Sequence, residues 1–166
     1  MLEKFQPNAR GDLHELEQDT ASQLFISSIR ERVEVQLKLV CSEGDRAYQL
    51  GQLSPAALAY IGDAVYELYV RTHYLLPPKR LSDYHRCVVA QVRAESQATC
   101  LQALEPYLSE EEREILRRGR NAATGKPRRL SPELYQQATS LETLIGYLYL
   151  QNPQRLNELL ETINLY

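Results

Sequence analysis

The chain has 166 residues, 43% of them hydrophobic and 25% charged, with a formal net charge of −3. This length suits a single domain with one sizeable core, and this composition excludes a largely disordered chain. No stretch approaches the roughly 20 apolar residues of a membrane span, and the first residues lack the apolar run of a signal peptide. We therefore expect a protein that is neither secreted nor membrane-embedded. The net charge argues against bulk attraction to nucleic acid but allows a local basic patch.

The three cysteines, Cys41, Cys87 and Cys100, form no CxxC pair and no Cys/His cluster. This spacing predicts neither a zinc site nor a disulfide framework. The sequence therefore favours the reducing cytoplasm.

The first part of the chain, residues 1–46, reads as an N-terminal extension of uncertain structure. Residues 1–20 are polar and acidic, which predicts loose order. The segment that follows has both helical spacing and, from Val33, strict alternation, and we favour a helix. Its apolar positions are Ile26, Ile29, Val33, Leu37 and Val40. Residues 47–166 are expected to form the main domain.

Three helices should begin where a capping residue precedes proline, at Ser54-Pro55, Ser131-Pro132 and Asn152-Pro153. The side-chain oxygen can accept from free backbone N–H groups, and proline tolerates the first helical position. Each helix carries an apolar stripe that predicts its buried face. The stripes are Leu58, Ile61, Val65 and Leu68; then Leu134, Ala138, Leu141, Ile145 and Leu148; then Leu156, Leu159, Leu160 and Ile163.

Two further helices are predicted between the first and second of these. Ser82 can cap a helix that continues through Val88, Val92 and Leu101, and Ser109 with Glu112 forms a capping-box pattern for a helix closed by Gly119. No convincing strand lies beyond residue 45. The predicted fold class is therefore all-α, a helical bundle.

Acidic residues stand alone in two long apolar segments. From Ala47 to Val70 the only charges are Asp63 and Glu67, and from Leu134 to Gln154 the only one is Glu142. A carboxylate in a core helix costs free energy unless it is paired, solvated in a cleft or bound to a metal. These acids could each lie on a solvated face. If the helices pack together, Asp63 and Glu142 can instead form a hard oxygen site of the kind Mg²⁺ prefers.

One strongly basic stretch stands out in an acidic chain. It contains Arg117, Arg118, Arg120, Lys126, Arg128 and Arg129, with no acid between Ile115 and Pro132. It could be a solvated loop that complements a helix C-terminus. We favour phosphate binding along a nucleic-acid duplex, because the arginine fork suits phosphate oxygens. His85 and Arg86 could extend this patch.

Four motifs carry a resemblance to a known family. LAYIGDAVYELYVR, residues 58–71, resembles the signature helix of the ribonuclease III family. HRCVVAQVRAESQA from His85, RRGRNAATG from Arg117 and SLETLIGYLYL from Ser140 resemble, in order, the rest of a Mini-ribonuclease III catalytic domain. That sub-family has the nuclease domain without an attached double-stranded-RNA-binding domain. The resemblance covers roughly residues 47–166.

The resemblance implies an all-α ribonuclease III-type endonuclease domain and a homodimer. It implies Mg²⁺-dependent cleavage of double-stranded RNA, in maturation of the 23S ribosomal RNA precursor. The catalytic and metal-binding acids fall on Asp63 and Glu142, with Glu67 assisting through a water. Two acids of the larger ribonuclease III pattern are replaced by Ala59 and Thr139, which leaves the number of metal ions open.

Two other functional classes stay open. A catalytically silent ribonuclease III-like scaffold could bind RNA or a ribosomal protein, and the missing acids at Ala59 and Thr139 favour it. An all-α protein-interaction module would not depend on the arginines. Retained Asp63 and Glu142 in neutral helices favour the enzyme.

Overall fold

The computed structural model describes residues 31, 32, 35, 50–125 and 131–163. Of the helix predicted around Ile26 to Val40, only Glu31, Arg32 and Val35 are described, and all three are helical. The expected loose order of residues 1–20 falls outside the described residues. Contacts divide the chain between Gly44 and Asp45. The domain boundary after residue 46 stays a prediction.

Six α-helices make up the described part of the domain. They are α1 (Pro55–His73), α2 (Leu81–Val92), α3 (Ala94–Leu104), α4 (Glu110–Ala122), α5 (Pro132–Gln151) and α6 (Pro153–Thr162), with a 3₁₀ turn at Glu105–Tyr107. The described ranges contain no β-strand. The all-α prediction is confirmed.

All three predicted cap-proline starts are confirmed. The Ser54 hydroxyl accepts from the backbone N–H of Ala57 at 3.1 Å, and α1 begins at Pro55. Ser131 and Asn152 make the equivalent bonds at the starts of α5 and α6, at 3.2 and 3.1 Å. These helix starts depend on local chemistry alone, so the sequence could predict them.

The single helix predicted from Ser82 to Leu101 is wrong. Ser82 is not the cap: the N-cap of α2 is Arg80, and the helix runs from Leu81, two residues before the predicted start, to Val92. Arg93 then adopts an extended conformation, with φ −70° and ψ 152°, and α3 begins at Ala94. The break has no glycine, proline or side-chain cap, so no local pattern marks it.

Gly119 does not end α4 as predicted. The capping box of Ser109 and Glu112 is present, but the helix continues to Ala122. A Cβ atom at Gly119 would lie 2.6 Å from Oγ1 of Thr143, so this glycine allows α4 to pack closely on α5. Its role is packing between helices and not termination.

Helix α5 lies at the centre of the bundle. It packs against α1, α3, α4 and α6, and nearly every side chain from Ala138 to Leu150 is buried. A helix that is apolar around its whole circumference is typically a core helix. The stripes predicted on α5 and α6 are confirmed, apart from a half-buried Leu134. Across the residues described, none of the helices has the length and hydropathy needed to cross a membrane.

The buried face of α1 differs from the predicted stripe. Leu58 is buried, but Ile61 and Val65 are half-buried and Leu68 is 55% exposed. The buried face instead contains Leu58, Ala59, Gly62, Tyr66 and Val70. Because α1 is apolar almost all round, periodicity could not identify the face that contacts α5.

A charged contact joins α6 to the start of α4. Nε of Arg155 donates to Glu112 at 2.8 Å, and its guanidinium also donates to the carbonyl of Tyr107 at 2.7 Å. Glu112 is only 5% exposed. Burial raises the pKa of Glu112, but hydrogen bonds from Arg155 and the Ser109 backbone outweigh it and leave the pKa below its ordinary value.

Candidate active site

Helices α1 and α5 cross at two glycines. A Cβ atom on Gly62 would overlap the backbone carbonyl of Glu142 and lie 2.8 Å from the backbone nitrogen of Gly146. A Cβ atom on Gly146 would overlap the carbonyl of Leu58 in the same way. The two backbones therefore touch, which only residues without a side chain permit. This crossing places Asp63, which follows Gly62, beside Glu142.

The two acids predicted to converge are close enough to repel each other. Burial, followed by the negative charge of Asp63, raises the pKa of Glu142 to about 7. Like charges that share a site resist simultaneous ionisation, which raises the pKa. The sequence prediction that these distant acids meet thus agrees with the geometry of the crossing.

Asp63 has a second acidic neighbour on its own helix. Burial raises the pKa of Asp63, and the charge of Glu67, one turn further on, adds to this shift. Glu67 itself forms an ion pair with Arg71. Its carboxylate is therefore already engaged, and a role through water stays a prediction.

A buried amide completes the surroundings of Glu142. The Gln97 side chain on α3 approaches Glu142 and favours its ionised form as a hydrogen-bond donor. Gln97 is 1% exposed, yet its Nε2 atom makes no complete hydrogen bond to any described residue. The approach to Glu142 is therefore looser than a full hydrogen bond.

Ala59 and Thr139, which stand where the larger family pattern has acids, lie one helical turn before Asp63 and Glu142. Ala59 on α1 is buried, and Thr139 on α5 is half-buried. In the described ranges, no group of three or more His, Cys, Asp or Glu side chains is arranged to hold a metal ion. The site therefore offers two converging carboxylates.

This pair fits a magnesium ion. Mg²⁺ usually keeps several waters and binds through one or two carboxylates together with substrate phosphates. A cation between Asp63 and Glu142 would relieve the repulsion that raises the pKa of Glu142. The unpaired N–H of Gln97 leaves a donor at the same place for an oxygen ligand.

The described arginines of the basic stretch lie on α4, which packs against both acid-bearing helices. Arg117 makes two hydrogen bonds to Glu114, at 2.6 and 2.7 Å. Arg118 donates to the backbone carbonyls of Gly51 and Leu53, at 2.9 and 3.3 Å. Arg120 is exposed and makes no hydrogen bond or ion pair with the part of the chain that is described. Of these three arginines, only Arg120 has a guanidinium that is not bonded to a described residue.

The rest of the predicted RNA-binding set is either on α2 or undescribed. His85 and Arg86 are exposed on α2, and Arg86 pairs with Asp83 at 2.8 Å. Lys126, Arg128 and Arg129 lie outside the described residues. Their contribution stays a prediction.

Sequence reasoning did not single out Gln97. A signal was available, because Gln97 shares an apolar face of α3 with Leu101 and Leu104, at helical spacing. A polar side chain in a buried stripe needs a hydrogen-bond partner. That partner could not be identified before the fold placed α3 against α5.

Comparisons with known proteins agree with this architecture. The ribonuclease III domain family matches residues 56–153. The Mini-ribonuclease 3 of Synechocystis sp. is 64% identical over 113 residues, covering 68% of this chain and 79% of that protein. The Mini-ribonuclease 3 of Clostridium tetani is 40% identical over 122 residues, covering 70% and 81%.

A solved structure shares the fold. The crystal structure of a Fusobacterium nucleatum protein matches with a TM-score of 0.61 at 31% identity, covering 66% of this chain and 90% of that one. These matches agree with the helical bundle and the two neighbouring acids. The chain belongs to the Mini-ribonuclease 3 family of endoribonucleases that carry a ribonuclease III domain.

Proposed function

We propose that this protein cuts double-stranded RNA in a Mg²⁺-dependent reaction, with Asp63 and Glu142 as the residues that hold the cation. The observation that carries this proposal is the glycine crossing of α1 and α5, which brings exposed Asp63 close to half-buried Glu142. Family membership supports the ribonuclease activity.

The acids would bind the cation in their ionised forms. Their repulsion in the free protein becomes attraction to a shared divalent ion, so binding and ionisation of Glu142 are coupled. A divalent cation, when bound, supplies positive charge that stabilises charge developing on the phosphate and favours ionisation of water. No protein side chain is required as a nucleophile.

The basic residues would grip the RNA backbone. Duplex RNA is recognised mainly by its shape and through phosphate and 2′-hydroxyl contacts, which need no reading of base sequence. Arg120 is free to reach a phosphate, whereas Arg117 and Arg118 would have to leave existing partners. Lys126, Arg128, Arg129, His85 and Arg86 complete the proposed set.

Exposed apolar side chains on and just after α1 support a homodimer. Tyr60 and Leu68 on the outer side of α1 are 84% and 55% exposed, and Leu76 and Leu81 beyond its end are 71% and 79% exposed. Exposed apolar side chains of this size are typical of a surface that another protein covers. A second copy would bury them and supply a second site for the other RNA strand. Sedimentation of wild type and Tyr60→Asp should show a dimer only for wild type.

The physiological substrate we propose is the precursor of 23S ribosomal RNA in the cytoplasm, with a ribosomal protein as a further partner. The family resemblance supports this choice of substrate. Processing of that precursor, followed in cells that lack the protein, would test it.

Cleavage of a long RNA duplex, with and without Mg²⁺, tests the activity. Wild type should cut only with the ion, and Asp63→Asn should lower the rate by more than about 100-fold, since metal-ion catalysis supplies several kcal/mol. Glu161→Gln, which changes an exposed acid on α6, is the matched control. RNA binding without any cutting by wild type would favour the scaffold, and neither activity would favour the interaction module.

A further inference from the structure

Gln97 differs from the other buried polar residues of the domain. Within the described residues, four polar or charged residues are fully buried: Gln97, Glu112, Ser140 and Thr143. Glu112 is paired with Arg155. Ser140 and Thr143 each donate to a carbonyl one turn earlier in α5, at 2.6 and 2.7 Å. Gln97 alone of the four keeps an unpaired N–H donor, relative to these residues.

Packing does not explain this glutamine. Leaving a buried donor unpaired costs roughly 1–3 kcal/mol, whereas an apolar side chain of the same shape would avoid that cost. Gln97 stands in line with Leu101 and Leu104, which are 1% and 2% exposed. A methionine at this position would fill the same space at lower cost in stability.

The surroundings of the amide suggest what it does. Gln97 approaches Glu142, whose neighbour across the crossing is Asp63. A lysine or arginine here would neutralise Glu142 and compete with a bound cation. An apolar side chain would leave the carboxylate free to rotate. A neutral amide donates one hydrogen bond and adds no charge.

We propose that Gln97 is a positioning residue whose Nε2–H holds one oxygen of Glu142 and so turns the other oxygen toward Asp63. This inference rests on the proposed function, because the orientation of Glu142 matters only if the two acids hold a cation together. Residues that orient metal ligands are typically worth 10–100-fold in metal affinity or activity. The Nε2–H makes no hydrogen bond to a described residue in the free protein and would form one with Glu142 when the cation is bound.

Gln97→Met tests the inference, with Gln151→Met as the matched control. Gln151 also has a buried amide atom, Oε1, without a partner among described residues. It lies nine residues after Glu142 on α5, or about 13 Å along the helix axis. Mg²⁺ affinity is measured from the rise in melting temperature during a Mg²⁺ titration. The kcat and KM for duplex RNA are measured alongside, with Asp63→Asn as the reference.

Gln97→Met should bind Mg²⁺ roughly 10–100-fold more weakly and lose kcat at saturating RNA, with KM unchanged. Its melting temperature in EDTA should equal or exceed that of wild type, because the unpaired amide is gone. Gln151→Met should bind Mg²⁺ as wild type does.

Three results would overturn the inference. Wild-type Mg²⁺ affinity in Gln97→Met, with affinity lost in Asp63→Asn, removes the role of Gln97 and leaves the proposed function intact. A lower melting temperature in EDTA for Gln97→Met, absent in Gln151→Met, assigns Gln97 a purely structural role. If wild type neither binds Mg²⁺ nor cuts RNA, the proposed function fails first and this inference fails with it.

Discussion

Glu142→Gln should stabilise the metal-free protein above neutral pH. In the folded state the pKa of Glu142 rises from the ordinary 4.5 to about 7, through burial and the charge of Asp63. At about 1.36 kcal/mol for each pKa unit, this difference sets an upper limit of about 3.4 kcal/mol on the cost of the ionised side chain. Because Glu142 is half-buried, solvent screening reduces the expected gain to about 2 kcal/mol.

The gain should depend on pH in a defined direction. Between pH 4.5 and about 7 the folded state binds more protons than the unfolded state, so wild-type stability falls as pH rises through this window. Glutamine does not titrate. The advantage of Glu142→Gln should therefore be absent below pH 4.5, grow between 4.5 and 7, and stay constant above 7.

Urea unfolding in EDTA at a series of pH values measures this effect. Glu161→Gln is the control, because its exposed carboxylate should change the free energy of unfolding by less than about 0.5 kcal/mol. Saturating Mg²⁺ should reverse the order, since wild type binds the ion and Glu142→Gln does not. Equal stability of the two proteins at pH 8, or a gap that does not vary with pH, would refute the reasoning.

Three further results are expected. Gly62→Ala should lower the free energy of unfolding by at least about 3 kcal/mol, since the added Cβ meets backbone and not a movable side chain. Urea titrations should find that the control Gly51→Ala, with open space around the added Cβ, unfolds with a free energy equal to or above that of wild type. Arg155→Met should cost roughly 3 kcal/mol by leaving the buried Glu112 without its cationic partner. The folded-state pKa of Glu112 is lowered, so the stability lost in Arg155→Met should be fully present above pH 4.5. Urea unfolding should show this difference in stability vanish as the pH falls through the lowered pKa. Arg120→Gln should lower the slope of log affinity for duplex RNA against log salt by about 1, measured by anisotropy; an unchanged slope would remove Arg120 from the RNA-binding set.

Local signals in the sequence were sufficient for the three helix starts that carry a cap and a proline. A capping side chain followed by proline needs no distant partner, so Ser54, Ser131 and Asn152 could be placed correctly before the fold was known. No glycine, proline or side-chain cap marks the break at Arg93, and α4 continues past Gly119 in close contact with Thr143 of α5. Local patterns contain no information about either.

The sequence by itself determined the helical class, the family resemblance and the two acids, because a lone carboxylate in an apolar segment is conspicuous in one dimension. Only the tertiary structure decided which face of α1 is buried, since that helix is apolar nearly all round and a contact between Gly62 and α5 selects the face. It also decided that Arg118 contacts backbone carbonyls and that Gln97 approaches Glu142. These contacts join residues 45 or more positions apart, and such pairs are brought together by packing and not by any local pattern.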